Sequence, residues 1–232
     1  MTTPNSKTAN WRTKMLPVAT GRSGRARDVC RIIWVAIFLA AISAGFLTGC
    51  GAAPRSKYYQ LSVPGGVPTV QASDTQIRLL VGGLSASHLY REDSIVYSRG
   101  TEEMGTYQTQ RWAEPPTEMI EEVLVRQLRS SGHYLAVQPH RTSASGDFLI
   151  RGQLYDFKEV DGGSILARVT FDLEMRDLKT GATVWTHYYS HDEPVSAKNV
   201  PAVVAALDQN VQRGVKDAAA SLDQYFASHP VK

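Results

Sequence analysis

From Ile165 to Met175 the chain alternates: Ile165, Ala167, Val169, Phe171, Leu173 and Met175 against Arg168, Thr170, Asp172, Glu174 and Arg176. A period of two predicts a strand with one face packed and the other polar. Lys179-Thr180-Gly181 turns it into a second long strand, from Thr183 to about His191, and Phe148–Phe157 pairs on the other side to complete an antiparallel meander. Upstream, Tyr58–Val63 predicts a first strand, ended by Pro64-Gly65-Gly66, and the apolar run Ile77–Val81 a short buried one. Ile95–Arg99 and Gly105–Trp112 read as a hairpin.

Two segments carry the helical period instead. Glu114-Pro115-Pro116-Thr117 is a helix start, since proline is tolerated in a first turn and acids favour the positive end of the macrodipole. That helix runs to about Ser131, with Ile120, Val123, Leu124 and Leu128 as its buried stripe and Gly132 as its stop. The second helix spans Asn199–Ser228, with a stripe of Val200, Val204, Leu207, Val211, Val215, Ala218, Leu222 and Tyr225. This face covers the sheet, or part of it meets another subunit.

The N-terminus has a different pattern. Four arginines (Arg22, Arg25, Arg27, Arg31) precede an uncharged stretch from Ile32 to Leu47, about 24 Å of helix and short of the ~30 Å hydrocarbon core. A positive region, a short apolar region and a small-residue exit describe an export signal. Leu47-Thr48-Gly49-Cys50 resembles the lipobox of bacterial lipoproteins, in which the cysteine is diacylated and becomes the new N-terminus. Residues 1–49 are then a removed signal peptide, 50–57 a short lipidated tether and 58–232 the domain, with Met1 or Met15 as the start. Several acyl chains, at ~0.8 kcal/mol per buried methylene, hold such a chain on its bilayer. Gly51 after the cysteine, rather than an aspartate, leans towards the outer membrane.

Charge and cysteines narrow the function. The formal net charge is +3, but residues 1–49 hold seven Lys/Arg against Asp28, leaving 18 basic and 21 acidic residues in the remainder. The pI of 8.8 is therefore no argument for nucleic-acid binding. The cysteines are Cys30 and Cys50, so no disulfide, thiolate metal site or cysteine nucleophile falls within the domain.

No G-x-S-x-G elbow, H-E-x-x-H, phosphate loop or dinucleotide fingerprint is present, so no catalytic residue, metal ligand or cofactor is expected. His187 and His191 share a strand face about 13 Å apart, too far for one ion with ~2 Å ligand bonds. Asp156, Glu159 and Asp161 flank the Gly162-Gly163 turn as a solvated hairpin end, and His133-Tyr134 closes the first helix.

Arg111-Trp112-Ala113-Glu114-Pro115, with Tyr58-Tyr59-x-Leu61 soon after the cysteine, Leu79-Leu80-Val81-Gly82 and the two helices, resembles the ABC-type transport auxiliary lipoprotein family, to which the PqiC lipoproteins belong. The resemblance runs from Cys50 to about residue 228, and the long leader and Pro115-Pro116 depart from its pattern. It implies a three-layer α/β sandwich like the N-terminal domain of TolB, with a mixed, largely antiparallel sheet and a long C-terminal helix. It also implies a non-catalytic, periplasm-facing lipoprotein working with an MCE-domain (MlaD/PqiB-like) protein of an ABC transport system that moves lipid between membranes; a homo-oligomer is compatible with this. Other expectations are a lipoprotein that assembles a machine such as a peptidoglycan synthase, or a periplasmic hydrolase, which the missing nucleophile opposes. In the Arg111–Pro115 segment, Trp112 is read as a core cap beside an Arg111–Glu114 pair, or Arg111, Trp112 and Glu114 as a docking surface of typical interface anchors.

Overall fold

The computed structural model describes residues 29, 31, 33–36, 55–63, 75–100, 102–140 and 145–230. Residues 1–53 and 54–232 form separate units. In the first, the described residues are helical and exposed, Trp34 among them. The Leu47–Cys50 motif lies outside the described residues. Among the described residues, no helix is long and apolar enough to cross a membrane.

The second unit is mixed α/β. Its strands are β1 (Lys57–Tyr59), β2 (Arg78–Ala86), β3 (Ser94–Arg99), β4 (Glu103–Trp112), β5 (Ala136–Pro139), β6 (Phe148–Asp161), β7 (Ile165–Asp177) and β8 (Thr183–Pro194). Helix α1 (Pro116–Ser130) follows β4, and α2 (Val200–Ser228) ends the unit. All eight strands join one open sheet. Its long pairings, β6–β7 and β7–β8, are the antiparallel meander that the alternation predicts, and β3–β4 is the predicted hairpin. Four shorter pairings are parallel: β1–β4, β2–β5, β2–β6 and β3–β6.

β6 organises this mixture. One of its edges pairs with β7 throughout, while the other serves β2 over Phe148–Leu154 and β3 over Lys158–Asp161. The change of partner falls at a register shift between Leu154 and Asp156, where Tyr155 is the extra residue. A bulge bends its strand and increases local twist, which lets one strand carry two diverging neighbours.

Both helices lie on one face of the sheet and touch each other, α1 over β2 and β5, α2 over β7 and β8. Over β6–β8 the opposite face carries polar side chains. Arg151 pairs with Glu174, Tyr155 donates to Asp172, Lys158 pairs with Asp156, and Arg168 binds Asp192 through two bonds of 2.7 Å. The Arg168 bonds are the first cause that holds the Asp192 carboxyl below its ordinary range, against a smaller desolvation effect.

The buried face of α1 contains the predicted stripe, joined by Pro116, Thr117, Met119 and Val125, and Gly132 beyond its end has φ 72°, the left-handed region that glycine favours. Asn199 caps α2, its side chain accepting from the Ala202 N–H at 2.9 Å. The buried stripe of α2 differs from expectation: Val203, Asn210, Gly214 and Phe226 are buried, whereas Val200, Val204 and Tyr225 sit at the margin.

Two small residues explain the shift. A Cβ on Gly214 would stand 2.7 Å from the Tyr189 ring and 2.9 Å from that of Phe171, rings that stack at 5.2 Å, so the helix seats directly on this pair. Beside it, Asn210 is fully buried yet saturated: Oδ1 accepts from the Tyr189 hydroxyl, and Nδ2 donates to the carbonyls of Ala167 and His191, all at 2.8 Å. Burial is the main cause that pushes the Tyr189 phenol up to about 12.

The expected first strand, Tyr58–Val63, is cut short. β1 ends at Tyr59 because the chain leaves the sheet for α2: Leu61 is buried, the Ser62 N–H donates to Asp208, and the Ser62 carbonyl accepts from Gln212.

Candidate functional site

The strand-to-helix corner at residues 111–116 is built by three strands. β4 ends at Trp112 between β1 and β3, with Tyr58 opposite Arg111 on one side and Ser94 opposite Arg111 on the other. The Trp112 N–H donates to the Asp93 carbonyl and the Ala113 N–H to the Tyr59 carbonyl, both at 2.7 Å. Pro115 then turns the chain, its carbonyl accepting from the Glu118 and Met119 N–H groups as the first turn of α1. Proline at the first helical position costs no bond there.

Trp112 is 0% exposed and packs on Phe157 with ring centroids 5.2 Å apart. Its indole N–H has no acceptor among the described residues. Arg111 does not pair with Glu114 as expected; its guanidinium donates to Asp93 at 2.7 Å, because the β3–β4 register places the residue before Ser94 beside it. Glu114 lies exposed on a groove of about 600 Å³ with Leu84, Glu118, Glu121, Glu122 and His140. The surface of this segment is thus an Arg111–Asp93 ion pair next to an acidic groove, over a tryptophan that belongs to the core.

The histidines of β8 engage side chains of α2. His187 Nε2 lies 3.4 Å from Asp217, and His191 Nε2 accepts from the Arg213 guanidinium at 2.8 Å, with Glu193 3.4 Å away. The two rings engage different partners, and no group of three or more metal-binding side chains converges among the described residues. The carboxylates at the β6–β7 turn also separate. Glu159 is buried and accepts from the Tyr107 hydroxyl at 2.7 Å, while Asp156 pairs with Lys158 on the outer face. His133 and Tyr134, expected to serve the end of α1, both reach Asp223 of α2 instead, at 3.1 and 2.6 Å.

This arrangement is a packed, two-helix sheet domain with a polar outer face. Residues 59–219 match the family model described as the ABC-type transport auxiliary lipoprotein component, well over half of the chain. The chain belongs to this family. Protein XCC0632 from Xanthomonas campestris has a similar solved structure, with a TM-score of 0.66 at 20% identity, covering 75% of this chain and 99% of its own. A second solved structure, an uncharacterized protein, has a TM-score of 0.59 at 13% identity, covering 73% and 99% respectively. At these identities the likeness concerns the fold. No curated protein matches the sequence. Family membership makes this an auxiliary lipoprotein component of ABC-type transport, with the cell envelope as its place.

Proposed function

We propose that this auxiliary lipoprotein is lipidated on Cys50 after removal of residues 1–49, faces the periplasm from the outer membrane, and docks an MCE-domain protein of a lipid-transporting ABC system without catalysing a reaction. The observation that carries the reading is the family match over residues 59–219, preceded in the same chain by Leu47-Thr48-Gly49-Cys50. The geometry supports a positional role. β1 begins seven residues after Cys50, a span of at most ~25 Å, so the domain is held beside its bilayer. The docking surface is the solvent side of the corner: Arg111 with Asp93, and Glu114 on the acidic groove.

The test has two arms. Cys50→Ser moves the chain from the membrane fraction to the soluble one and removes the acyl mass; a variant that is still processed and still carries a diacylglyceryl mass refutes the anchor. From native membranes the chain recovers an MCE-domain protein, and Arg111→Ala lowers that recovery. Recovery of a peptidoglycan synthase in its place refutes the transport partner while leaving the anchor standing.

A further inference from the structure

The sheet ends on β1 and β5 on one side of β6 and on β8 on the other. β1 has three residues and β5 four, the latter closing on Pro139, so both are too short to recruit another strand. β8 has twelve residues, and among the described residues it pairs with β7 alone.

Exposed edges are ordinarily protected by lysine, proline, bulges or inward charge. β8 has its register shift at its start, beside Trp185, and Pro194 as its last residue. Between them Trp185-Thr186-His187-Tyr188-Tyr189-Ser190-His191 has no Lys, Arg, Asp, Glu, Pro or Gly. These aromatic and β-branched types suit strands. At the middle of the run Tyr188 is 66% exposed.

The backbone orientation follows from the pairing. The Val195 N–H donates to the Ile165 carbonyl of the β7 side at 3.0 Å, so odd residues of β8 direct their polar groups at β7. Thr186, Tyr188, Ser190 and Asp192 therefore direct theirs at the open edge. A second copy related by a two-fold axis through Tyr188 would place Tyr188 opposite its mate, Thr186 opposite Ser190, and Val184 opposite Asp192. Over residues 186–190 edge-directed groups then meet edge-directed groups, and the acids at 192 and 193 face positions 184 and 183 at the bulge, so no like charges are opposed. The neighbouring register, centred on Tyr189, opposes His187 to His191 and Val184 to Pro194 and loses on both counts.

We propose that β8 is a self-association edge: two copies pair antiparallel through residues 184–192, centred on Tyr188, and join their sheets into one. This is independent of the transport role.

The full-length lipidated chain, extracted in mild detergent, tests it. Light scattering should give twice the protomer mass. Thr186→Lys with Ser190→Lys places two pairs of lysines opposite each other and should weaken dimerisation about tenfold or more, with the circular dichroism spectrum unchanged. Under mild oxidation Tyr188→Cys should cross-link to its own mate above the wild-type background. Thr186→Cys should cross-link only when mixed with Ser190→Cys. A monomeric wild-type chain, a dimer indifferent to the lysines, or Thr186→Cys cross-linking to itself overturns the proposal. A monomer whose lysine variant loses a transport protein overturns it too, and assigns the edge to that protein.

Discussion

Replacing Trp112 tests whether the corner is held from inside or from outside. The indole is 0% exposed against Phe157, so Trp112→Ala empties an aromatic core site and should cost about 3–5 kcal/mol. For a domain of this size that lowers the melting temperature by about 6–20 °C. Trp112→Phe should cost less than half as much. It keeps most of the ring and discards an indole N–H that has no acceptor among the described residues. Arg111→Ala removes an ion pair whose side chains are 34% and 42% exposed, a class worth about 0–1 kcal/mol, and so should barely move the melting temperature.

The three variants are read together by thermal unfolding and by partner recovery from membranes. The docking reading requires Arg111→Ala to reduce recovery while melting near the wild type. If Arg111→Ala destabilises as much as Trp112→Ala, the surface pair holds the corner and the reasoning fails. If Trp112→Ala melts with the wild type, the burial argument fails.

Asn210→Ala leaves the Tyr189 hydroxyl and the Ala167 and His191 carbonyls without their amide, and should cost about 2–4 kcal/mol; an unchanged melting temperature refutes the network. The Arg168 bonds lower the folded-state pKa of Asp192, so their stabilisation is present above the ordinary carboxylate pKa and is lost as pH falls through the lowered value. Arg168→Gln should raise the Asp192 titration seen by NMR and shift acid unfolding to higher pH. Both side chains are about a third exposed, so the neutral-pH cost stays at about 0–1 kcal/mol, and an unmoved titration refutes the attribution. His187→Gln with His191→Gln should leave fold and partner recovery largely intact, and stoichiometric metal lost with this pair of changes would refute the structural role.

The long meander was legible because alternation reports burial directly, and β6, β7 and β8 each have one packed face and one wet face. Alternation reports a face, however, not a neighbour. The parallel pairings of β2 and β3 with β6 follow from a bulge at Tyr155, which no local pattern marks. β5 was missed because four residues with only Val137 buried fall below any periodic signal. The expected Arg111–Glu114 pair failed for a related reason. Proximity in sequence favoured Glu114, whereas the register of β3 against β4 delivers Asp93.

Helix α2 shows a different blindness, with a signal that was available. Ranking positions by hydropathy selected Val200, Val204 and Tyr225 and passed over Ala206, Asn210 and Gly214, which recur every four residues. A row of small or polar side chains through the middle of a long amphipathic helix marks close approach to something bulky, here the stacked Phe171 and Tyr189 rings. That approach has a mechanical consequence. The Asn210 amide bonds β7 and β8 at once, through the Ala167 and His191 carbonyls, while Arg213 binds His191 and Glu193 from the next turn. β8 is therefore tied to a 29-residue helix along much of its length, although it has a strand neighbour on one side only. An edge strand held in this way does not fray, so a chain pairing with it pays little ordering entropy on this side. The same residues that hydropathy ranking discards are those that keep the β8 edge in shape for a second strand.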